Sequence, residues 1–234
     1  MNYFPLFLKL KDRPCLVVGG GDVAARKINQ LLKAEARITV LAPEICSLVQ
    51  ELVAANIVEY ISEKYSRNYL SDMHIIIAAT SDGQINRQIS TDAQERCIPV
   101  NVVDDPELCS FIVPSTVDRR PVQIAISTGG ASPVLARLLR SRLETFIPST
   151  FGRLASLMGN FRERVKQRFP KIKERRRFWE QVLNGPITEM FLAGQEKAGL
   201  NALENALEQG LEQKRLQGEV YLVGGGPGDP DLLT

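Results

Sequence analysis

A glycine-rich segment, GGGDVA at residues 19–24, carries the strongest chemical signal in the sequence. It follows the apolar run CLVV at residues 15–18 and precedes apolar residues at helical spacing, so the glycines connect a predicted strand to a predicted helix. The spacing fits the G-x-G-x-x-G/A pattern of dinucleotide-binding loops. In that pattern Gly19 permits a tight turn, Gly21 lets the backbone approach a pyrophosphate, and Ala24 lets the helix pack closely. We therefore predict nucleotide binding; the alternative is a glycine-rich turn in an α/β domain that binds nothing.

The acid that usually holds the ribose, about twenty residues after the glycines, is missing. The second predicted strand ends in the sequence VLAPE at residues 40–44, so Glu44 either replaces that acid from the loop or is a solvated residue at a helix start. No arginine stands there to bind a 2′-phosphate, which favours NAD over NADP. Thr80 follows an apolar strand at residues 75–79 and is predicted to contact the cofactor from the sheet edge.

Two further segments offer groups for acid–base or anion chemistry. Asp104 ends the fifth predicted strand, at the edge where open α/β sheets bind ligands, and is either a general base or a turn-forming residue before Asp105-Pro106. The loop STGGASP at residues 127–133 contains Thr128 and leads into a helix. It either binds an anion such as a carboxylate or is a well-capped turn.

Composition excludes several function classes. The chain has 234 residues, 44% of them hydrophobic, and a formal charge of +2, which excludes a polycation or an acidic disordered tail as the overall design. No apolar stretch approaches the ~18 residues of a membrane span, and the N-terminus lacks the basic region and cleavage site of a signal peptide. Four separated cysteines and a single histidine indicate buried thiols in a reducing compartment and no metal site that needs two imidazoles. We expect a soluble cytoplasmic protein.

The elements that would position these residues follow from the apolar pattern. Up to residue 103, apolar strands alternate with amphipathic helices, which predicts an α/β fold with a Rossmann-like parallel sheet covered on both faces. Strands at residues 110–113 and 122–126 are predicted to pair around a polar turn, and a helix is predicted to start at Ser132-Pro133. Only helical periodicity is visible over residues 149–216.

A basic stretch within that helical region, residues 153–177, contains ten Lys or Arg and two Glu. Phe161, Phe169 and Phe178 are predicted from their helical spacing to form the core face of the helices, which leaves no aromatic residues to stack on bases. The stretch therefore indicates a solvated helix face or a wall for an acidic ligand rather than a nucleic-acid surface. A last strand and glycine loop at residues 219–230 look like the start of a further domain, which suggests that the chain is a fragment of something longer.

Together these residues resemble the dehydrogenase–chelatase module of the sirohaem synthase family. The resemblance covers residues 1 to about 210, and the tail at residues 220–234 resembles the opening of a uroporphyrinogen III methyltransferase domain. The segments that carry the resemblance are 15–24, 78–80, 101–104, 110–115, 127–137 and 174–179.

The resemblance implies NAD-dependent oxidation of precorrin-2 to sirohydrochlorin, followed by insertion of ferrous iron in the same pocket. It assigns NAD to Gly21, Asp22 and Val23, with Pro43 and Glu44 near the adenosine. It assigns the general base to Asp104, and it places Thr128 where some members carry a serine that can be phosphorylated.

The resemblance also implies the domain organisation and the partners. We expect an NAD-binding Rossmann domain at residues 1–113, a dimerisation region at 114–148, an all-helical domain at 149–215 and a truncated methyltransferase start at 218–234 without methyl transfer. The expected assembly is a homodimer, with no nucleic-acid or membrane partner. A tetrapyrrole with eight carboxylates would explain Thr128 and the arginines Arg119, Arg120, Arg137 and Arg140 as substrate-binding residues.

Two other functions compete with this interpretation. The first is a non-catalytic sensor that binds NAD or a tetrapyrrole and contacts a partner through its basic helices. The second is an ordinary NAD(P)-dependent dehydrogenase of small substrates, which is disfavoured because the second domain offers no catalytic His, Lys or Tyr pattern.

Overall fold

The computed structural model describes residues 3–210. The chain divides into two compact units, the first comprising Met1–Thr116 and Ala125–Ser141 and the second Val117–Ile124 and Arg142–Thr234. The predicted strand and glycine loop at residues 219–230 lie outside the described residues.

The first unit contains a five-stranded parallel sheet. Its strands are β1 (Pro14–Val18), β2 (Arg37–Leu41), β3 (Glu59–Ile61), β4 (Ile75–Ala78) and β5 (Val100–Val102). They are hydrogen-bonded in the order β3-β2-β1-β4-β5, and every pairing is parallel. The predicted Rossmann-like α/β fold is therefore confirmed.

Strand alternation divides the core between the two faces of the sheet. Cys15 and Val17 of β1 belong to one apolar cluster, whereas Leu16 and Val18 belong to the other, because successive side chains of a strand point to opposite faces. Three helices cover these faces: α1 (Asp22–Lys33) and α2 (Ser47–Ala54) contribute to the first cluster, and α3 (Gly83–Glu95) contributes to the second. Short 3-10 helices occupy Arg67–Leu70 and Pro106–Leu108.

The predicted strand at residues 110–113 is wrong. The hairpin instead consists of β6 (Ser115–Arg119) and β7 (Val122–Ile126). The earlier apolar run is tied to β5: the Ser110 N–H donates to the Val100 carbonyl over 2.9 Å, and the Asn101 side-chain amide donates to the Phe111 carbonyl over 3.1 Å. Phe111 packs against the first apolar cluster, so its hydrophobicity reflects a role as a core cover rather than as a strand.

The helix predicted to start at Ser132-Pro133 is confirmed as α4 (Pro133–Phe146). The Ser132 hydroxyl accepts a hydrogen bond from the Leu135 N–H over 3.2 Å, which is the expected N-cap contact. Only Ala136 of this helix is buried. Leu143 is half-buried, and the other large apolar side chains of the helix are exposed, namely Val134, Leu135, Leu138, Leu139 and Phe146.

The second unit is helical, with α5 (Thr150–Arg168), α6 (Ile172–Leu183), α7 (Pro186–Leu192) and α8 (Glu196–Gln209). Phe161, Phe169 and Phe178 are buried in its apolar core, as predicted from their helical spacing. The basic stretch is partly paired across this unit, since Arg153 contacts Glu196 over 2.7 Å and Arg164 contacts Glu204 over 3.1 Å.

The expectation of buried thiols is correct only for Cys15. Cys46 and Cys109 are half-buried and Cys97 is exposed; all four are free. Within residues 3–210, no helix has the length and apolarity needed to span a membrane, and no cluster of three or more His, Cys, Asp or Glu side chains is arranged to hold a metal ion.

Candidate functional site

The glycine loop brings the ends of three strands into backbone contact. Gly19, with φ +122°, has no room for a side chain, since a β-carbon there would lie 2.4 Å from the Ala79 carbonyl oxygen. A β-carbon on Gly20 would lie 2.0 Å from the Glu44 carbonyl oxygen. The Cys46 N–H also donates to the Gly20 carbonyl over 2.7 Å, so the loop after β2 rests directly on the glycine loop.

The start of α1 is open where a ligand would approach. Gly21 is the N-cap residue, and a β-carbon there would meet nothing within 4 Å. Asp22 and Val23 follow in the first turn, where backbone N–H groups lack partners inside the helix. Gly21 therefore faces open space, whereas Gly20 allows the loop after β2 to pack against the glycine loop.

The loop after β2 is held by hydroxyl groups from β3 and the residue beyond it. The Pro43 carbonyl accepts hydrogen bonds from the Tyr60 and Ser62 hydroxyls, each over 3.2 Å. Glu44 is exposed beside this fixed carbonyl. Thr80 is half-buried after β4, and its hydroxyl donates to the Asn86 side-chain oxygen over 2.7 Å.

Asp104 stands in an exposed turn beyond the carboxyl end of β5. Its backbone has φ +61°, in the left-handed region that Asp tolerates better than most residues. The preceding Val103 N–H donates to the Ala78 carbonyl of β4 over 2.9 Å, which ties this turn to the neighbouring strand.

Cys109 holds the Asp104 turn from the other side. Its Sγ accepts from the Val102 N–H over 3.1 Å, and it lies 3.2 Å from both the Val102 and the Asp105 carbonyl oxygens. Burial raises the pKa of this thiol, so it stays protonated and able to donate at neutral pH. No local sequence pattern signals this role of Cys109, because it follows from a contact that only the folded turn creates.

Lys27 of α1 is a second residue that the sequence analysis missed. The side chain is half-buried, and burial lowers its pKa. The positive charge of Arg26 also lowers this pKa, and the negative charge of Asp104 opposes the lowering. Helical spacing would have placed Lys27 beside the buried Ala24 and Ile28 and thus could have signalled an unusual lysine.

Thr128 closes a loop within the first unit. Its hydroxyl donates to the Ser132 carbonyl and accepts from the Ser132 N–H, each over 3.1 Å. This geometry has the features of the capped-turn alternative, and the substrate role of Thr128 stays a prediction. Arg137 lies exposed on α4, nine residues after Thr128.

Arg119 and Arg120 belong to the second unit. The Arg119 guanidinium donates to the Ile147 carbonyl over 3.0 Å and to the Glu144 carbonyl over 3.2 Å, so it caps the end of α4. Arg120 pairs with Asp118 over 3.1 Å. Both arginines line a cavity of about 560 Å³ in this unit, together with Arg153. Their roles in substrate binding stay predictions.

The predicted site residues therefore fall into groups. The glycine loop, the loop of Pro43 and Glu44, Thr80 and Asp104 all lie beyond the carboxyl ends of the strands of one sheet. The loop of Thr128 and the residue Arg137 share that unit, whereas Arg119 and Arg120 do not.

Comparison with known proteins finds relatives along the whole chain. The family model described as "Putative NAD(P)-binding" matches residues 6–115, "Sirohaem biosynthesis protein central" matches 119–145, and "Sirohaem synthase dimerisation region" matches 150–207. Over the whole chain, the sequence is 55% identical to a protein named siroheme synthase from Thioalkalivibrio sulfidiphilus and 54% identical to one from Nitrosospira multiformis. The chain is homologous over its whole length to proteins named siroheme synthase. It covers 48% and 50% of those two proteins, and thus spans about half the length of the curated relatives it matches.

A solved structure shares the fold of this chain. The structure titled "SirC, precorrin-2 dehydrogenase" superposes with a TM-score of 0.68 over 87% of this chain and 100% of that chain, at 22% identity. At this identity the likeness shows the fold alone and says nothing about the roles of individual residues.

We predict that alanine in place of Gly20 lowers the stability of the protein, whereas alanine in place of Gly21 leaves it nearly unchanged. Gly20→Ala forces a β-carbon against the Glu44 backbone, which no rotamer change can relieve, so the free energy of unfolding should fall by about 3 kcal/mol. Gly21→Ala meets no atom and should stay within about 0.5 kcal/mol of the parent chain. Urea unfolding followed by circular dichroism measures both; equal effects would contradict the described loop geometry.

Proposed function

We propose that this chain oxidises precorrin-2 to sirohydrochlorin with NAD and then inserts ferrous iron to give sirohaem. The observation that carries the proposal is the position of Asp104, whose carboxylate stands at the same sheet edge as the open glycine loop before α1. The relatives named siroheme synthase, at 54–55% identity over the whole chain, support the same reactions.

The glycine loop fits the pyrophosphate of NAD. The space beside Gly21 is open, and the unpaired N–H groups and positive dipole end of α1 favour an anion there. Pro43 and Glu44 would lie near the adenosine, because their loop contacts Gly20. Thr80 would meet the cofactor at the end of β4. When bound, NAD supplies the hydride acceptor for the oxidation.

Asp104 is the base that this chain contributes. The oxidation removes a hydride and a proton from the macrocycle, and an exposed carboxylate at the sheet edge can accept the proton. The turn keeps that carboxylate in place through the contacts of Cys109 with Val102 and Asp105. The alternative role of Asp104, as a turn-forming residue alone, predicts no loss of rate when only its carboxylate is removed.

Iron insertion uses the same group. Ferrous iron is a substrate here, and two pyrrole protons must leave as it enters a ring that supplies four nitrogen ligands. The chain then needs a proton acceptor rather than a set of metal ligands, and Asp104 meets that need.

We further infer where the substrate carboxylates bind. Arg137 is exposed, and Arg120 has guanidinium nitrogens beyond the one that pairs with Asp118. Arg119 is a weaker candidate, because its Nε and both terminal nitrogens already donate to backbone carbonyls. Thr128 is the remaining substrate-binding candidate, through the loop that precedes α4.

We propose a homodimer as the working form. The exposed apolar face of α4 and the match of residues 150–207 to a family model named for dimerisation support it. The domain boundaries after residues 113 and 148, and a cytoplasmic location in keeping with four free cysteines, belong to the same proposal.

We predict that Gly21→Asp abolishes NAD-dependent oxidation. The added carboxylate would occupy and repel the pyrophosphate position, while the open surroundings of Gly21 should let the variant fold. Iron insertion into ready-made sirohydrochlorin should survive, because that step needs no nucleotide. Absorbance assays of the two steps, run separately, measure this; a folded variant that kept oxidation and lost iron insertion would overturn the cofactor assignment.

Asp104→Asn should damage both reactions by ~10²–10⁴-fold while leaving NAD affinity unchanged, because asparagine also tolerates φ +61° and removes only the basic carboxylate. Asp105→Asn is the matched control, since Asp105 contacts Cys109 through its backbone carbonyl, which asparagine retains. The control should keep near-normal rates in both assays. If the two variants behave alike, Asp104 is only a turn residue.

Light scattering at micromolar protein should give about twice the 26.0 kDa chain mass. Leu138→Glu, on the exposed face of α4, should shift the mass towards that of one chain, because it places a charge on an apolar surface. Gly83→Glu is the control, because a side chain at this position at the start of α3 enters open space, and it should leave the measured mass unchanged. A fully active monomer of the parent chain would exclude the homodimer.

A further inference from the structure

A second cavity, of about 460 Å³, lies in the helical unit and is lined by α5 and α6. Its lining consists of three cationic side chains, one carboxylate, one aromatic ring and one buried apolar side chain, namely Arg162, Lys166, Arg175, Glu163, Trp179 and Val165. The glycine loop and Asp104 belong to the other unit. The volume falls within the ~300–1,000 Å³ typical of small-molecule sites.

Helical spacing explains why these side chains share one cavity. Arg162 and Lys166 are four residues apart on α5, and Arg175 and Trp179 are four residues apart on α6, so each pair lies on one face of its helix. The two helices pack through the apolar core of the unit. Val165 belongs to that core, is 1% exposed and also lines the cavity. The cavity is thus a groove between two packed helices, with cations on both sides.

Two arginines of this cavity have no intramolecular partner. Within the described residues, neither the Arg162 nor the Arg175 side chain makes an ion pair or a hydrogen bond, and Arg175 is half-buried. Other arginines of the basic stretch are paired; Arg176, for example, contacts Glu180 over 2.8 Å. A partly buried guanidinium is unfavourable unless an anion or a polar group compensates it. The cations at the cavity are therefore available to a ligand, whereas their paired neighbours are not.

Trp179 adds an aromatic surface to the same cavity. The ring is half-buried and packs edge-on against Phe178, with ring centroids 5.2 Å apart and planes inclined by 63°. The apolar core thus fixes the orientation of an indole that also lines the groove. An aromatic ring beside guanidinium groups suits a planar, conjugated ligand that carries negative charge.

The type of donor in the cavity favours carboxylates over phosphates. Phosphate sites commonly use clustered backbone N–H groups at a glycine loop or a helix N-terminus. Here the lining residues lie within α5 and α6, and even the N–H of Arg175, in the first turn of α6, donates to the Lys171 carbonyl over 3.2 Å. The available donors are therefore separate side chains. Two planar guanidinium forks and one ammonium match several carboxylates distributed around one molecule.

We propose that the cavity between α5 and α6 is a second ligand site, which binds a planar conjugated polycarboxylate through Arg162, Arg175 and Trp179. The macrocycle of the proposed reactions belongs to this chemical class, and for that choice of ligand the inference rests on the proposed function. The site is a binding site without catalysis, because it contains neither the glycine loop nor the base Asp104.

Tryptophan fluorescence tests the site directly, because Trp179 is the only tryptophan of the chain. Benzenehexacarboxylate is a planar polycarboxylate that does not absorb tryptophan emission, so it should alter that emission saturably by contact. Arg175→Gln should weaken its apparent affinity about tenfold, because charge-assisted hydrogen bonds are lost. Arg177→Gln is the matched control, since it removes the same charge from an exposed position of α6 that does not line the cavity. The control should stay within about twofold of the parent chain.

Uroporphyrin, a stable macrocycle with eight carboxylates, tests the expected class of ligand. The anisotropy of its own fluorescence should show a binding component that the double variant Arg162→Gln/Arg175→Gln loses and Arg177→Gln keeps. Circular dichroism and the emission of unliganded Trp179 check that each variant folds. A single Arg175→Lys variant, which keeps the charge and loses the planar fork, should bind with intermediate affinity.

Three results would overturn the second site. They are the absence of saturable binding of either carboxylate, equal weakening by Arg175→Gln and Arg177→Gln, and displacement of benzenehexacarboxylate by inorganic pyrophosphate at equal concentration, which would indicate a phosphate site. Failure of the proposed function is distinguishable from these results. A chain that binds uroporphyrin through Arg175 without oxidising precorrin-2 would refute that function and keep the site. A chain that oxidises precorrin-2 while neither carboxylate alters the emission of Trp179 would refute the site alone.

Discussion

Two glycines that leave no room for a β-carbon determine how the loops at the carboxyl edge of the sheet pack together. Gly19 lies against the backbone after β4, and Gly20 lies against the backbone after β2. These contacts set the spacing of three loops with backbone atoms alone, and the Cys46 to Gly20 hydrogen bond reinforces it. The open N-terminus of α1 is useful to a nucleotide only because its neighbours are held this closely.

The Asp104 turn depends on a different kind of contact. No helix follows β5 directly; a 3-10 helix at Pro106–Leu108 returns the chain, and Cys109 then bonds back to the end of the strand. The Asp104 carboxylate thus projects from a turn whose backbone is held on both sides. The Val103 N–H donates to a carbonyl of β4 before it, and the Cys109 thiol contacts the Asp105 carbonyl after it. Precise placement on an exposed turn needs such support, since loops are otherwise the mobile parts of a domain.

The features that the sequence predicts correctly are those that depend on residues close together in the chain. Apolar runs flanked by glycine located the strands of the parallel sheet, and Ser132-Pro133 located the start of α4, because capping and alternation act within a few residues. The strand expected at residues 110–113 failed since Phe111 is apolar for tertiary reasons. The roles of Gly20, Lys27 and Cys109 were not predicted for the same reason. The close approach of Gly20 to Glu44, the half-buried position of Lys27 and the contact of the Cys109 thiol with Asp105 exist only after distant segments of the chain meet.

The path of the chain between its two compact units constrains how the protein can be divided. The first unit is interrupted by Val117–Ile124 and resumes at Ala125–Ser141, so the backbone crosses from one unit to the other three times. A single cut therefore cannot release both units as uninterrupted pieces, and a gene fusion could not exchange one of them as a simple cassette. Recombination is therefore expected to keep the two units together, without breakpoints at the hairpin or within α4.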